Sequence, residues 1–226
     1  MFVGDYWTIN GVNWRIAAVD YYWRTGDTAY ARGNIIVVPD GPLYNHQMCW
    51  TETGAYVSGA ANNITTGGYT KSHMFADNMN GGVEDSTYGA AGLTQARTTA
   101  ASAFGSHVAT HRVICTNATS NGKPSGWAWR DSDGIELMNE VQVYGTRAWG
   151  AGDQNGYDVG TQYRQFPLFR FIAPHINYST GGWIYYWLQD VGSAMSFARV
   201  YNCGIAAYYD ASNAYGVRPA VTLTYT

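Results

Sequence analysis

Asp131-Ser132-Asp133-Gly134-Ile135-Glu136 crowds side-chain oxygens into the close spacing that a hard cation such as calcium takes. The full spacing of an EF-hand loop is absent, and the same residues also read as a turn in which short acids cap backbone amides. Glu136 and Glu140, at i and i+4, would share one face of a helix. Paired carboxylates can hydrolyse a glycosidic bond, but two acids on a face are also what a solvated surface looks like. His107 and His111 have helical spacing without an evident third ligand, and with His73 they match no H-E-x-x-H zinc site. Cys49, Cys115 and Cys203 are odd in number and far apart, so they read as free thiols, Cys49 and Cys115 buried and Cys203 exposed. The glycines at Gly81-Gly82 lack the Lys-Ser or Lys-Thr of a phosphate loop, and no nucleophile elbow is present. The expectation is a protein without enzymatic activity and without a cofactor, a structural calcium being the one candidate ion.

Contact chemistry is concentrated near the carboxyl end. From Ser196 to Gly204 the sequence S-F-A-R-V-Y-N-C-G reads as a strand, and strand side chains alternate between two faces. Ala198, Val200, Asn202 and Gly204 would form one close-packing face, and Arg199, Tyr201 and Cys203 the other. Ile205 to Asp210 then reads as loop or sheet edge, yet it carries an isoleucine and the adjacent Tyr208 and Tyr209. Tyrosine offers a large apolar area, a polar tip and few rotors, which suits a binding surface. Exposed apolar clusters of this kind mark contact sites. The segment Ser196 to Leu223 also lacks Lys, Glu, Gln, Met and Trp, in a chain with nine Trp and six Met.

These residues need a framework. Tyr6 to Ile9 and Val12 to Ile16 flank Asn10-Gly11 and predict a hairpin with a type I′ turn. Asn34 to Val38 predicts a strand ended by Pro39-Asp40-Gly41-Pro42. Leu93 to Phe104 predicts a helix with Thr94 as cap and Gly105 as stop. One or two helical turns are expected near Tyr69 to Met79, and a glycine-rich loop over Gly145 to Gly160. Glu136 to Tyr144 is expected to start helical and to become a strand at Val141. Phe166 to Ile172 is expected to pack internally. Ile184 to Leu188 and Ser196 to Val200 would form the last sheet, closed by Gly216 to Leu223, with Pro219 marking an edge strand. Short strands, few helices and long irregular loops give an α+β domain over residues 1–226.

Composition narrows the partners. At 226 residues the chain can bury a sizeable core in one domain. Only 13% of residues are charged and the net charge is −3, so no basic stripe exists for nucleic acid. No polybasic patch or long apolar run points to a membrane. Aromatics reach 15%, with nineteen Tyr, a composition that suits extracellular and virion-surface binding proteins.

The strings W-L-Q-D at Trp187 to Asp190, F-A-x-V-x-N-x-G at Phe197 to Gly204 and A-S-x-x-Y-G-V-R-P at Ala211 to Pro219 carry a resemblance. So do V-G-D-Y-W-T-I-N-G-V-N-W-R-I from Val3 and S-D-x-x-E-L-M-N-E-x-x-V-Y-G from Ser132. With them the chain resembles the variable proteins of diversity-generating retroelements, which adopt a C-type-lectin-like fold. It is most similar to a phage and prophage branch of that fold related to formylglycine-generating enzymes. The resemblance implies that adenines in asparagine codons are randomised, which excludes Lys, Glu, Gln, Met and Trp from the variable positions. Carried over, the variable ligand-binding positions within about 192–214 are Gly192, Ala194, Ser196, Arg199, Tyr201, Cys203, Ile205, Ala206, Ala207, Tyr208, Tyr209, Asp210, Asn213 and Ala214. Met195 departs from the accessible set. Trp187, Phe197, Tyr215 and Arg218 would be scaffold.

The resemblance further implies a receptor- or ligand-binding protein on the virion surface, at a phage head or tail, or encoded by a prophage. Its partners would be a host-cell surface protein or glycan, other virion proteins, or a second copy in a homo-oligomer. The E-P-N and W-N-D motifs of calcium-dependent sugar binding are absent. The enzyme branch uses a cysteine pair, whereas Cys203 falls on a variable position without an obvious partner, so oxidase activity is not carried over. A capsid decoration or fibre protein without a ligand, and an oxidase or glycan-acting enzyme, are the competing classes.

Overall fold

Asn10 (φ 51°) and Gly11 (φ 78°) take the paired left-handed conformation of a tight two-residue turn. They join β1 (Tyr6–Ile9) to β2 (Val12–Val19), with Ile9 opposite Val12. The computed structural model describes residues 1–23, 33–49, 69, 72–75, 92–116, 119–120, 123–124, 127–149, 164–193 and 196–225.

The chain continues with β3 (Asn34–Pro39), β4 (Tyr44–Gln47) and helix α1 (Gly92–Phe104). Then come β5 (His111–Thr116), β6 (Thr119–Ser120), β7 (Lys123–Pro124), β8 (Trp127–Ser132) and β9 (Ile135–Leu137). Helix α2 (Glu140–Tyr144) precedes a 3-10 turn, Pro167–Arg170. The last five strands are β10 (Tyr186–Ser193), β11 (Ser196–Val200), β12 (Ala206–Asp210), β13 (Ala214–Val217) and β14 (Pro219–Thr224). Among the described residues the protein is mainly β, with two α-helices, and no helix is long and apolar enough to cross a membrane.

Two five-stranded sheets organise the fold, in the orders β1-β2-β3-β14-β9 and β12-β11-β10-β13-β4. The first is antiparallel throughout; the second contains one parallel pair, β10 with β13. Alternation along β3 shows how the sheets are buried on both sides. Ile35 and Val37 enter a core with Trp14, α1 residues Leu93 and Ala96, Trp187 and Phe197. Ile36 and Val38 enter a second core with Val141, Leu168, Tyr186, Leu188, Ala198 and Val200. Each fully buried large side chain adds about 1.5–3 kcal/mol over its exposed state.

The last sheet departs from the expected one. Gly216 and Val217 belong to the second sheet, whereas Pro219 to Thr224 form β14 in the interior of the first. Arg218 sits at the crossing, fully buried. Its Nε donates to the Pro39 carbonyl and its terminal nitrogen to the Pro174 carbonyl, both at 2.8 Å, beneath the rings of Tyr186 and Phe169. Pro219 is therefore not an edge marker. It is the first residue of its strand, where the missing N–H is tolerated.

The 136–144 run folds in the reverse order to that expected, as strand β9 and then helix α2. Asn139 decides this: its side chain accepts the Gln142 N–H at 2.8 Å, and the Gln142 side chain accepts the Asn139 N–H at 2.9 Å. This reciprocal cap starts α2, and Gly145 (φ 79°) ends it. A five-residue helix is too short for periodicity to reveal.

Helix α1 ends before Gly105 (φ 54°) as predicted, but begins at Gly92, so Thr94 lies inside its first turn and does not cap it. A Cβ at Gly92 would stand 2.5 Å from the Met74 sulfur, so only glycine allows this close start. Phe166, Leu168 and Phe169 pack internally as expected, while Phe171 faces solvent. Most of the region near Tyr69 to Met79 and of the loop 145–160 lies outside the described residues.

Candidate ligand-binding surface

β11 is buried along its whole length, and β12 is the outermost strand of the second sheet. They pair with Phe197 opposite Tyr209, Ala198 opposite Tyr208 and Arg199 opposite Ala207. β11 stops at Val200, so the alternation expected through Gly204 does not extend that far. Tyr201 to Gly204 forms a turn in which the Gly204 N–H reaches the Tyr201 carbonyl at 2.8 Å. Gly204 has φ +88°, and a Cβ there would lie 2.4 Å from the His175 ring nitrogen. The turn projects Cys203 and Ile205 outward, Ile205 being 60% exposed.

Tyr208 and Tyr209 do not form one cluster. They are neighbours on a strand and so point to opposite faces. Tyr208, 48% exposed, packs its ring against Trp149 with centroids 4.7 Å apart. Trp149 donates its indole N–H to the Ala206 carbonyl at 2.9 Å, tying its loop to the outer strand. The buried Glu140 carboxylate holds that loop by accepting the backbone N–H of Ala148 and of Trp149, both at 3.0 Å. Asp190 in turn accepts the Glu140 N–H at 2.6 Å. Desolvation first, and the Glu140 charge second, push the Asp190 carboxyl up to about 8.

On the other face stands Arg199. It is 5% exposed, with its guanidinium carbon 4.3 Å from the ring centroids of Tyr209 and Tyr215, 5.0 Å from Tyr201 and 5.5 Å from Tyr185. The rings also contact one another: Tyr215 meets Tyr209, Tyr185 and Trp187, and Tyr185 meets Tyr201 edge-on. Burial raises the Tyr215 phenol above its ordinary pKa, which the adjacent Arg199 charge partly offsets. The Arg199 Nε is enclosed without a hydrogen-bond partner, and among the described residues no carboxylate pairs with this cation.

The expected contact positions thus divide. Cys203, Ile205, Tyr208, Tyr209, Asp210 and Ala214 are exposed, and Gly192, Tyr201, Ala206, Ala207 and Asn213 are half-buried. Ser196 and Arg199 are buried, a correction to their reading as outward contacts: the rings of Tyr185, Tyr201, Tyr209 and Tyr215 enclose Arg199, and the Ser196 hydroxyl lies against Gly192. Ala194 lies outside the described residues. Trp149 and Tyr185 belong to the surface although nothing local in the sequence marks them.

The other candidate centres resolve into structural contacts. Asp133 pairs with Arg97 at 2.6 Å, Asp131 with Arg112 at 3.0 Å and Glu136 with Arg130 at 2.7 Å. Ser132 and Asp133 side chains accept the amides of Gly134 and Ile135, the turn reading of this segment. Glu136 in β9 and Glu140 in α2 share no helix face. Buried His111 stacks on Tyr22 with centroids 4.0 Å apart. Among the described residues no group of three or more His, Cys, Asp or Glu could hold a metal ion. Cys49 is a buried free thiol and Cys203 an exposed one, while the side chain of Cys115 lies outside what is described.

No protein-family model matches the chain, and neither a curated protein nor a solved structure matches it.

Proposed function

We propose that this protein is a non-enzymatic binding domain of C-type-lectin-like fold, displayed on a phage particle, whose outer sheet edge carries a retroelement-diversified contact surface. Its partner in this reading is a molecule on the host-cell surface, either protein or glycan. One observation carries the reading: most exchangeable letters reach solvent, Ser196 and Arg199 excepted, while key framework letters lie in the core. Among the constant letters of the carboxyl-terminal strings, Trp187, Phe197, Ala211, Val217 and Arg218 are buried. The interspersed Cys203, Ile205, Tyr208 and Tyr209 are exposed on and beside the edge strand, and Ala214 is exposed on β13. Substituting the outward set removes few core contacts, so the fold tolerates it. Many copies on a particle would multiply a weak individual affinity.

Adsorption of the purified, labelled protein to a panel of bacterial cells tests this reading. Ile205→Asp combined with Tyr208→Ala lowers adsorption while the melting temperature holds. Unchanged adsorption removes the proposal. Sequencing the DNA that flanks the gene tests diversification separately, through a reverse transcriptase and a template repeat that differs at adenines.

A further inference from the structure

We propose that Arg199 recognises a single carboxylate on the ligand of this protein. The proposal rests on reading the outer sheet edge as a binding surface, and names the chemistry that one part of it selects.

Burying a guanidinium is costly unless its donors are matched. Arg218, in the same region, shows a matched case, with two carbonyl acceptors at 2.8 Å. Arg199 packs among rings, with the Tyr215 phenol in hydrogen-bonding reach, and its Nε has no partner. Rings attract the cation through its flat face and offset part of the desolvation, but they leave the in-plane Nε–H without an acceptor. A planar fork whose Nε–H lacks an acceptor matches a carboxylate in bidentate geometry.

The surroundings favour a single negative charge. Among the described residues no second Lys or Arg adjoins the tyrosines around Arg199, whereas a polyanion would call for several cations. Asp210 is the acid on β12. It shares the parity of Tyr208 and therefore faces away from Arg199. Tyr209, 42% exposed and on the edge strand, is the ring whose rotamer change opens the guanidinium to an incoming group. The remaining phenols supply donors and acceptors to whatever carries the carboxylate.

Calorimetric titration provides the test, with glucuronate against glucose and N-acetylglutamate against N-acetylglutamine, each a carboxylate and its neutral counterpart. Inorganic sulfate is the competing anion. At least one carboxylate binds about tenfold or more tightly than its neutral counterpart, and the arm that does so tells an acidic sugar from an acidic side chain. Arg199→Met abolishes this preference and Arg199→Lys weakens it, both with the native melting temperature. A preference retained in Arg199→Met overturns the proposal. So does the absence of any preference in the native protein, or tighter binding of sulfate than of either carboxylate. If Ile205→Asp with Tyr208→Ala loses cell adsorption while the native protein shows no carboxylate preference, the surface reading stands and only the ligand chemistry fails.

Discussion

Arg199 and Arg218 are both buried beneath aromatic rings, yet Arg218 donates to two backbone carbonyls and Arg199 has no carboxylate or carbonyl acceptor among the described residues. One cation joins two sheets; the other is held in place by four tyrosines. Their replacements therefore separate a charge that donates to carbonyls from one packed among rings. Arg218→Met leaves the Pro39 and Pro174 carbonyls unmatched and costs about 2–6 kcal/mol, at about 1–3 kcal/mol for each lost buried partner. Arg199→Met stays within about 1 kcal/mol of the native protein, because lost cation–π attraction is balanced by the relief of an unmatched buried charge. Urea denaturation of both variants measures the difference.

Trp149 is the brace on the outer strand. Trp149→Ala removes the indole hydrogen bond to Ala206 and the ring contact with Tyr208. A stability loss of about 1 kcal/mol is expected, because the indole is half in solvent. Cell adsorption falls by more than this small loss accounts for, because Tyr208 loses its fixed position. Adsorption equal to that of the native protein would show that the ring pair has no part in contact.

Asp190 and Glu140 predict a direction for pH dependence. The folded-state pKa of Asp190 is pushed up to about 8 from 3.8, so the folded protein holds a proton that the unfolded chain has released. Stability from this group is present at acid pH and declines as pH rises between those values. Asp190→Asn keeps an acceptor for the Glu140 N–H and removes the ionisation. Thermal melting of this variant from pH 5 to 8 is expected to be flatter than that of the native protein.

At two glycines a Cβ would collide with a neighbouring element. A Cβ on Gly216 would stand 2.5 Å from both Pro42 and the Tyr185 carbonyl, where β13 meets β10. Gly216→Ala costs about 1–3 kcal/mol through overpacking. Gly204→Ala adds a left-handed backbone penalty of about 1–2 kcal/mol to its collision with His175. Denaturation midpoints check both, and a native-like midpoint for Gly216→Ala would show that β13 and Pro42 yield easily.

Signals between adjacent residues were legible in the sequence. Asn10-Gly11, Gly105 and the apolar run of β3 act through local backbone preference and alternation, and the turn, helix stop and strand follow. The exposure of Ile205, Tyr208 and Tyr209 was also legible, since their types suit contact and glycine precedes them. The opposite orientation of the two tyrosines follows from strand alternation over 206–210, which the loop-or-edge composition of that segment conceals. The tertiary structure alone decided the remainder. Arg199 is buried because Tyr185 and Tyr215 arrive from β10's approach and β13, and Trp149 joins the surface because Glu140 anchors its loop. The crossing between sheets at Arg218 depends on carbonyls at Pro39 and Pro174, far away along the chain. Alternation and turn preference are properties of neighbouring peptide units, whereas burial and charge matching depend on which distant residues share a volume, and only the folded chain sets that.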